Sequence, residues 1–467
     1  MIVHWHRRDL RLQDSPAHAR ADELIIGLYV VDPTRLERTG TVQLSFLLDS
    51  LKALRAAYRE AGGELLLREG EPTAVIPAVL DSLGARAIQW ETEYGDWCVR
   101  RDAAVRDAVR SRDGTVTTDD TRVLHPPGTI LTNDGTPYQV FSYYWRKWRK
   151  REKPAVAEFD TSDIAATVDI EEGDIPAIEE CDRTPPDATI PPGGTDAATK
   201  RLARFCAGPI YTYPDDREIP SIDGTSRISQ DLALGTLGIR QVWWETEAAY
   251  ANAETTEARE AVTAFQRQLA WRDFYTQVLW DRPKTETETY QAFPNAIDWK
   301  HDPAAEKAWK QGKTGYPIVD AGMRQLIDEG WMHNRVRMIV ASFLTKDLLL
   351  SWRIGYEWFR ENLVDFDIAN NAGGWQWAAS TGTDAQPYFR IFNPMTQGER
   401  YDPDGTYITR YVPELRGIDP GIIHGWDDLS ATQREQCAPD YPPPIVEHAD
   451  RREQAIAMFE AARGMSS

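Results

Sequence analysis

The sequence predicts an α/β domain, a parallel sheet with helices on both faces, followed by a larger all-helical domain. A long polar linker joins the two. Three observations carry this. Short apolar runs alternate with helical patterns over the first 125 residues, as in a sheet buried on both faces. Residues 155–200 are rich in Pro, Gly, Thr and Asp and show no periodicity. Beyond Lys200 strand-like runs cease, helical patterns dominate and tryptophan is abundant. The expected divisions are 1–125, 126–200 and 201–467.

The elements follow in order. Met1-Ile2-Val3-His4-Trp5-His6-Arg7-Arg8 reads as a strand entering a charged turn. Further strands are expected at 24–31 and 65–67, with weaker ones at 87–90 and 116–117. Leu44, Leu47, Leu48, Leu51 and Leu54 share one helical face, and Gly62-Gly63 ends that helix. A second helix is expected over 72–83. No Gly-x-Gly-x-x-Gly follows the first strand, so a nicotinamide-dinucleotide site there is unsupported. Nothing resembles a signal peptide or an 18-residue apolar span. The four cysteines form no Cys-x-x-Cys pair. A cytoplasmic protein is expected.

Seventy-three acids against 53 bases give a net charge of −20. That argues against a polyanionic partner in bulk, although bulk charge says little about a site. The bases are uneven: Arg146, Lys147, Arg149, Lys150, Arg151 and Lys153 form one block interleaved with Trp145 and Trp148. Such a block reads either as a nucleic-acid surface or as a solvated helix end. The acidic, Lys-poor composition fits a salt-adapted cytoplasm.

Four later segments carry chemistry. Gly224-Thr225-Ser226-Arg227-Ile228-Ser229 precedes a helical stretch and reads as a phosphate cradle or an ordinary helix cap. Gln268, Trp271 and Arg272 share a helix face, which suits a flat heteroaromatic ligand or a packed core. In Trp331-Met332-His333-Asn334-Arg335-Val336-Arg337-Met338, Asn334, Arg337 and Met338 share a face while Arg335 diverges. The segment from Asp365 to Trp377 holds two acids, Asn370, Asn371, Gly373-Gly374 and two tryptophans. Two glycines inside a helix cost about 2 kcal/mol, so a bend or a close approach is expected. No His or Glu cluster completes a metal shell around Asp365 and Asp367, so no metal is expected.

In this order the four segments resemble the photolyase/cryptochrome family over essentially the whole chain. Trp5-His6-Arg7-Arg8-Asp9-Leu10-Arg11 looks like its N-terminal signature. The stretches from Thr314 to Arg324 and from Tyr388 to Pro394 also fit. Met332-His333-Asn334-Arg335 resembles enzymes that repair cyclobutane pyrimidine dimers; six-four photolyases have a His-His pair near here. The resemblance implies a U-shaped FAD in the helical domain. Tyr213, Thr225, Ser226, Ile228 and Ser229 would hold its ribityl chain and phosphates. Gln268, Arg272, Arg337, Asp365, Asp367 and Asn371 would surround the rest, with an Arg337–Asp365 ion pair beside the ring. Asn371 falls where the family faces flavin N5. Photolyases tend to have Asn there, and many signalling cryptochromes Asp or Cys.

On the substrate side, Trp271 and Trp377 would pack on the flipped dimer, Met338 would contact it, and Asn334 and Arg335 would engage its bases or phosphates. The implied reaction is electron transfer from photoexcited reduced FAD, ring splitting and electron return. One departure stands out: many family enzymes have Glu where this chain has Gln268. Gln donates N–H bonds but no proton, which puts repair yield in question. Trp375, Trp352 and Trp299 match the family's electron relay. A second, antenna chromophore is implied, a deazaflavin ahead of a folate, with the Arg7-Arg8-Asp9 turn and Phe46-Leu47-Leu48-Asp49 bordering its pocket. The expected partner is damaged DNA bound by a monomer through few phosphate contacts. The alternative is a non-repairing, cryptochrome-like photoreceptor.

Overall fold

The computed structural model describes residues 1–15, 23–158, 160–166 and 170–465. Five parallel strands form one sheet: β1 Ile2–His6, β2 Ile25–Val31, β3 Leu65–Glu69, β4 Ala87–Glu91 and β5 Thr115–Asp119. Their spatial order is β3-β2-β1-β4-β5. Ile2 of β1 pairs with Ile25 on one side and Ala87 on the other, so the strand order reverses between β1 and β4. All seven residues of β2 are buried, which explains its unbroken apolar run.

Helix α1 (Thr41–Glu60) covers one face with Leu44, Leu47, Leu51, Leu54 and Tyr58. Helices α2 (Pro72–Leu83) and α3 (Asp96–Arg110) cover the other through Ile76, Val79, Leu80, Val105 and Val109. Gly27 of β2 has to lack a side chain, because a Cβ there would lie 2.5 Å from the Tyr58 ring.

The polar stretch after residue 155 runs back along this sheet. The Ala165 N–H donates to Ile25 O at 2.9 Å and the N–H of Leu67, on edge strand β3, to Glu172 O at 2.8 Å. A helix over Thr195–Ala207 begins inside the stretch expected to be linker. The basic block forms α4 (Phe141–Lys150), and its aromatics are not interleaved on one surface as a nucleic-acid reading requires. Phe141, Tyr144 and Trp148 are buried, and the Trp148 Nε1–H donates to Asp273 at 2.8 Å. Lys153 is buried too, over the Trp148 ring. Arg146, Lys147, Arg149 and Lys150 remain on the exposed side.

The helical region is built around α5 (Ser229–Leu234), α6 (Thr256–Asp281), α7 (Pro317–Glu329), α8 (Asn334–Ser342), α9 (Trp352–Asn362) and α10 (Ile368–Ala378). A π-helical turn over Phe343–Asp347 follows α8. α10 packs against α6, α8 and α9. It thereby brings the Gln268, Asn334 and Asp365 segments to one place. No helix among the described residues is long and apolar enough to cross a membrane.

Candidate functional site

α10 is the centre of the site. Asp367 caps it, accepting from the Asn370 N–H at 3.1 Å and from its Nδ2–H at 2.9 Å. The same carboxylate meets two arginines that follow strands of the α/β half: Arg122 at 3.2 Å and Arg8 at 3.6 Å. Burial alone would raise its pKa, yet Arg122, Arg272 and Arg8 hold it at about 2. Asp365, just upstream, is buried, and both its oxygens accept from Arg337 Nη2, at 2.8 and 3.1 Å. Arg337 Nε also donates to Met332 O. Both acids are thus engaged by guanidinium groups rather than by each other.

Inside α10 the two glycines have opposite surroundings. A Cβ on buried Gly373 would lie 2.2 Å from the Tyr275 ring of α6, so this is the expected close approach. Exposed Gly374 has nothing within 4 Å of where its Cβ would be. Asn371 is buried and its Nδ2–H donates to Tyr356 O at 3.1 Å. Trp377 is half-buried on the open side of the helix.

α6 contributes an aromatic wall. Trp271 stacks on Phe141 of α4 at 3.7 Å and 10° and meets Tyr275 at 5.4 Å. Arg272 is tied to the Arg122 carbonyl and donates to Leu232 O at 3.1 Å. Gln268 turns its amide to its own helix, donating to Ala264 O at 3.2 Å.

α8 begins at a histidine cap: His333 Nδ1 accepts from the Arg335 N–H at 3.2 Å. Burial and then the field of Arg227, Arg217, Arg337 and Arg335 lower its pKa to about 3, so it stays neutral. Asn334 is exposed, and Arg337 and Met338 are half-buried beside it. Arg335 reaches Glu218, which accepts from its Nε at 2.8 Å, lies over the Tyr401 ring, and comes within 3.8 Å of Met338 Sδ, so it does not leave the Met338 side entirely. The Glu218 contact gave no sign in the sequence, because the partners lie 117 residues apart.

In the Thr225 segment the residue capping α5 is Ile228, with no side-chain cap bond, so Thr225 and Ser226 are not the cap. Both are half-buried, whereas Ser229 is exposed. Arg227 takes a left-handed φ of 53° and lies 3.5 Å over Trp331. Tyr213 is buried edge-on against Phe205 and Phe265. Together these segments offer hydroxyls and guanidinium groups for phosphates. An amide, an ion pair and a side-chain-free backbone suit a flat polar ring. That donor set fits FAD.

The three tryptophans lie on touching elements. A Cβ on Gly355 of α9 would lie 1.9 Å from the Trp375 ring, so that indole packs directly against the α9 backbone one turn from Trp352. The Lys300 N–H, next to Trp299, donates to Leu349 O at 2.9 Å, three residues before Trp352. Trp375 and Trp352 are buried and Trp299 is partly exposed. Trp375 also meets Trp309 edge-on at 6.1 Å, a neighbour the sequence did not single out.

A second, narrow cleft opens at the carboxyl ends of β1, β2 and β4, where the strand order reverses. Arg8, Arg35, Arg38 and Arg360 face Trp97 and Leu47 across it. Of the two segments expected to border an antenna pocket, Arg8 and Leu47 do line this cleft. Phe46, Leu48 and Asp49 line a separate groove against residues 176–192. Among the described residues, His4, His6 and Asp9 are the group with metal-ligand spacing. Their atoms already bond one another and Tyr58, with His4 Nε2 and Asp9 Oδ2 2.6 Å apart.

Comparison with known proteins agrees on one family. The description "DNA photolyase" matches residues 2–162 and "FAD binding domain of DNA photolyase" residues 265–461. A deoxyribodipyrimidine photo-lyase from Halobacterium salinarum is 50% identical, covering 99% of this chain and all of its own. A bacterial class III photolyase from Agrobacterium tumefaciens superposes with a TM-score of 0.91 at 34% identity, over 99% of this chain and 98% of its own. An archaeal photolyase from Sulfolobus tokodaii, solved with two FAD molecules, has a TM-score of 0.82 at 27% identity, over 98% and 99%.

Proposed function

The chain belongs to the DNA photolyase family, and on that premise we propose that it repairs cyclobutane pyrimidine dimers in DNA by light-driven electron transfer. The observation that carries the reading is the convergence of α6, α8 and α10. It gathers on packed helices two half-buried indoles, Trp271 and Trp377, and the Arg337–Asp365 pair. When bound and reduced, FAD supplies the electron that light promotes. Everything else falls to this chain.

Thr225, Ser226 and Tyr213 hold the phosphate and ribityl end, with Ile228 and Ser229 at the edge of the same segment. Arg272, Arg337, Asp365, Asp367 and Asn371 frame the ring. Asn371 presents an amide that cannot easily give up a proton. Trp271, Trp377 and Met338 receive the flipped dimer, and Asn334 stands exposed at the rim to meet it. Arg335 joins the DNA contact on releasing Glu218. Gln268 swings from Ala264 O to donate to the dimer. Trp375, Trp352 and Trp299 form the relay from the ring toward solvent, supported by their contiguous elements.

The second cleft is the antenna site. Trp97 offers a ring face and four arginines line the cleft, their charge partly met by Glu93 and Glu286; the ligand is a planar, multi-ring chromophore, a deazaflavin favoured over a folate. The protein works as a cytoplasmic monomer.

The test is direct. The flavin is reduced without air in high-salt buffer, ultraviolet-damaged oligothymidine is added, and blue light is applied while thymine absorbance is followed. Light-dependent recovery is expected, with Gln268→Glu raising the yield per photon absorbed. No recovery from a folded, flavin-loaded protein would move it to the photoreceptor class, with Gln268 the first suspect.

A further inference from the structure

Glycine inside a helix is normally unfavourable, and the two glycines of α10 show two different reasons for tolerating it. Gly373 is explained by its neighbour, since the Tyr275 ring fills the space a side chain would take. Gly374 has no such explanation. It is helical, is not among the residues with positive φ, and meets no atom within 4 Å of its missing Cβ. Nothing in the protein itself requires glycine there.

Its position shows what does. At 3.6 residues per turn, Asp367, Asn370, Gly374 and Trp377 fall within an arc of about 80°. These residues are half-buried or exposed, whereas Asn371, Ala372, Gly373, Trp375, Gln376 and Ala378 are buried. One edge of this strip is Gly373, covered by Tyr275 of α6. The other is Asn371, bonded to the Tyr356 carbonyl of α9. The strip is thus the open side of a helix whose other residues, apart from half-buried Ile368 in its first turn, are buried, with a guanidinium-bound carboxylate at one end and an indole at the other.

We propose that Gly374 is a bare floor on which a flat heteroaromatic ring lies against the α10 backbone, the missing side chain setting how close the ring comes. This rests on the function proposed above. Two rings have the right chemistry, that of the cofactor and that of the flipped pyrimidine. The floor lies between Asn371, assigned to the first, and Trp377, assigned to the second.

The test uses Gly374→Ala and Gly374→Leu, with Gly373→Ala as a contrast. In flavin-free protein Gly374→Ala is expected to raise the melting temperature by about 1–3 °C, because alanine is the better helix former at an open position. Gly373→Ala is expected to lower it. FAD affinity is read by quenching of flavin fluorescence, and affinity for damaged against undamaged oligonucleotide is read on flavin-loaded protein. Gly374→Leu is expected to weaken one of them at least tenfold. Loss confined to FAD assigns the floor to the cofactor ring; loss confined to damaged DNA assigns it to the pyrimidine. If Gly374→Leu does not fold, Gly374→Ala carries the test with a smaller loss of the same kind. Wild-type affinities for both ligands in a folded Gly374 variant would overturn the inference. Failure of the wild-type chain to bind FAD would instead sink the proposed function.

Discussion

Two sets of cations in this molecule serve opposite ends. At the carboxyl edge of the sheet, Glu93 is buried among Arg101 at 2.7 Å, Arg8 at 3.4 Å, Arg7 at 3.6 Å and Arg35 at 4.0 Å. Burial alone would raise the Glu93 pKa, yet these arginines hold it well below the usual carboxylate range. On α4, Arg146, Arg149 and Lys150 are exposed and have no acidic partner among the described residues. In a chain of net charge −20, cations without acidic neighbours are the ones able to meet a polyanion. The buried set holds the protein together; the exposed set is available to a phosphate backbone.

The contrast can be broken at several points. Glu93→Ala removes the carboxylate shared by four guanidinium groups, leaving Asp102 to Arg7 and Arg101, and Asp367 to Arg8. It is expected to destabilise by about 3–5 kcal/mol in denaturant unfolding. A loss below about 1 kcal/mol would show that the buried set is not structural.

Asp367 is the next largest. Its folded pKa of about 2 against 3.8 for a free aspartate side chain corresponds to about 2.5 kcal/mol. Because the folded value is depressed, that stabilisation is complete above pH 3.8 and is lost as pH falls through about 2. Asp367→Asn keeps a good helix cap while removing the charge. At neutral pH it is expected to cost about 2 kcal/mol, and its stability should vary less than the wild type's between those two pH values.

The smallest effect on stability belongs to α4. Arg149→Gln with Lys150→Gln is expected to change stability by less than about 0.5 kcal/mol. If both side chains meet phosphates, the slope of log K against log salt for DNA should fall by about 2 in magnitude. An unchanged slope would place the DNA track elsewhere.

Much of this was legible in the sequence for local reasons. Helix Pro72–Leu83 and strand Ile25–Val31 are written in apolar periodicity, and Gly62-Gly63 stands just past the end of α1. Asp365 and Arg337 were foreseeable as a pair only through the family resemblance. What stayed hidden depends on distant contacts. Arg8 and Asp367 are 359 positions apart and meet only because α10 abuts the sheet edge. Trp148 looked like part of a basic surface because composition cannot show that Asp273, from α6, waits beneath it. Gly373 and Gly374 read alike in sequence. Only their neighbours in space separate them.

The Asp367 carboxylate closes two structures at once, since it caps α10 and receives Arg8 and Arg122 from the α/β half. Fraying of that helix end therefore also loosens one of the ties between the halves. Amide hydrogen exchange at Asn370 and Asn371 becomes a clock for how often that tie opens, readable in the dark and without substrate.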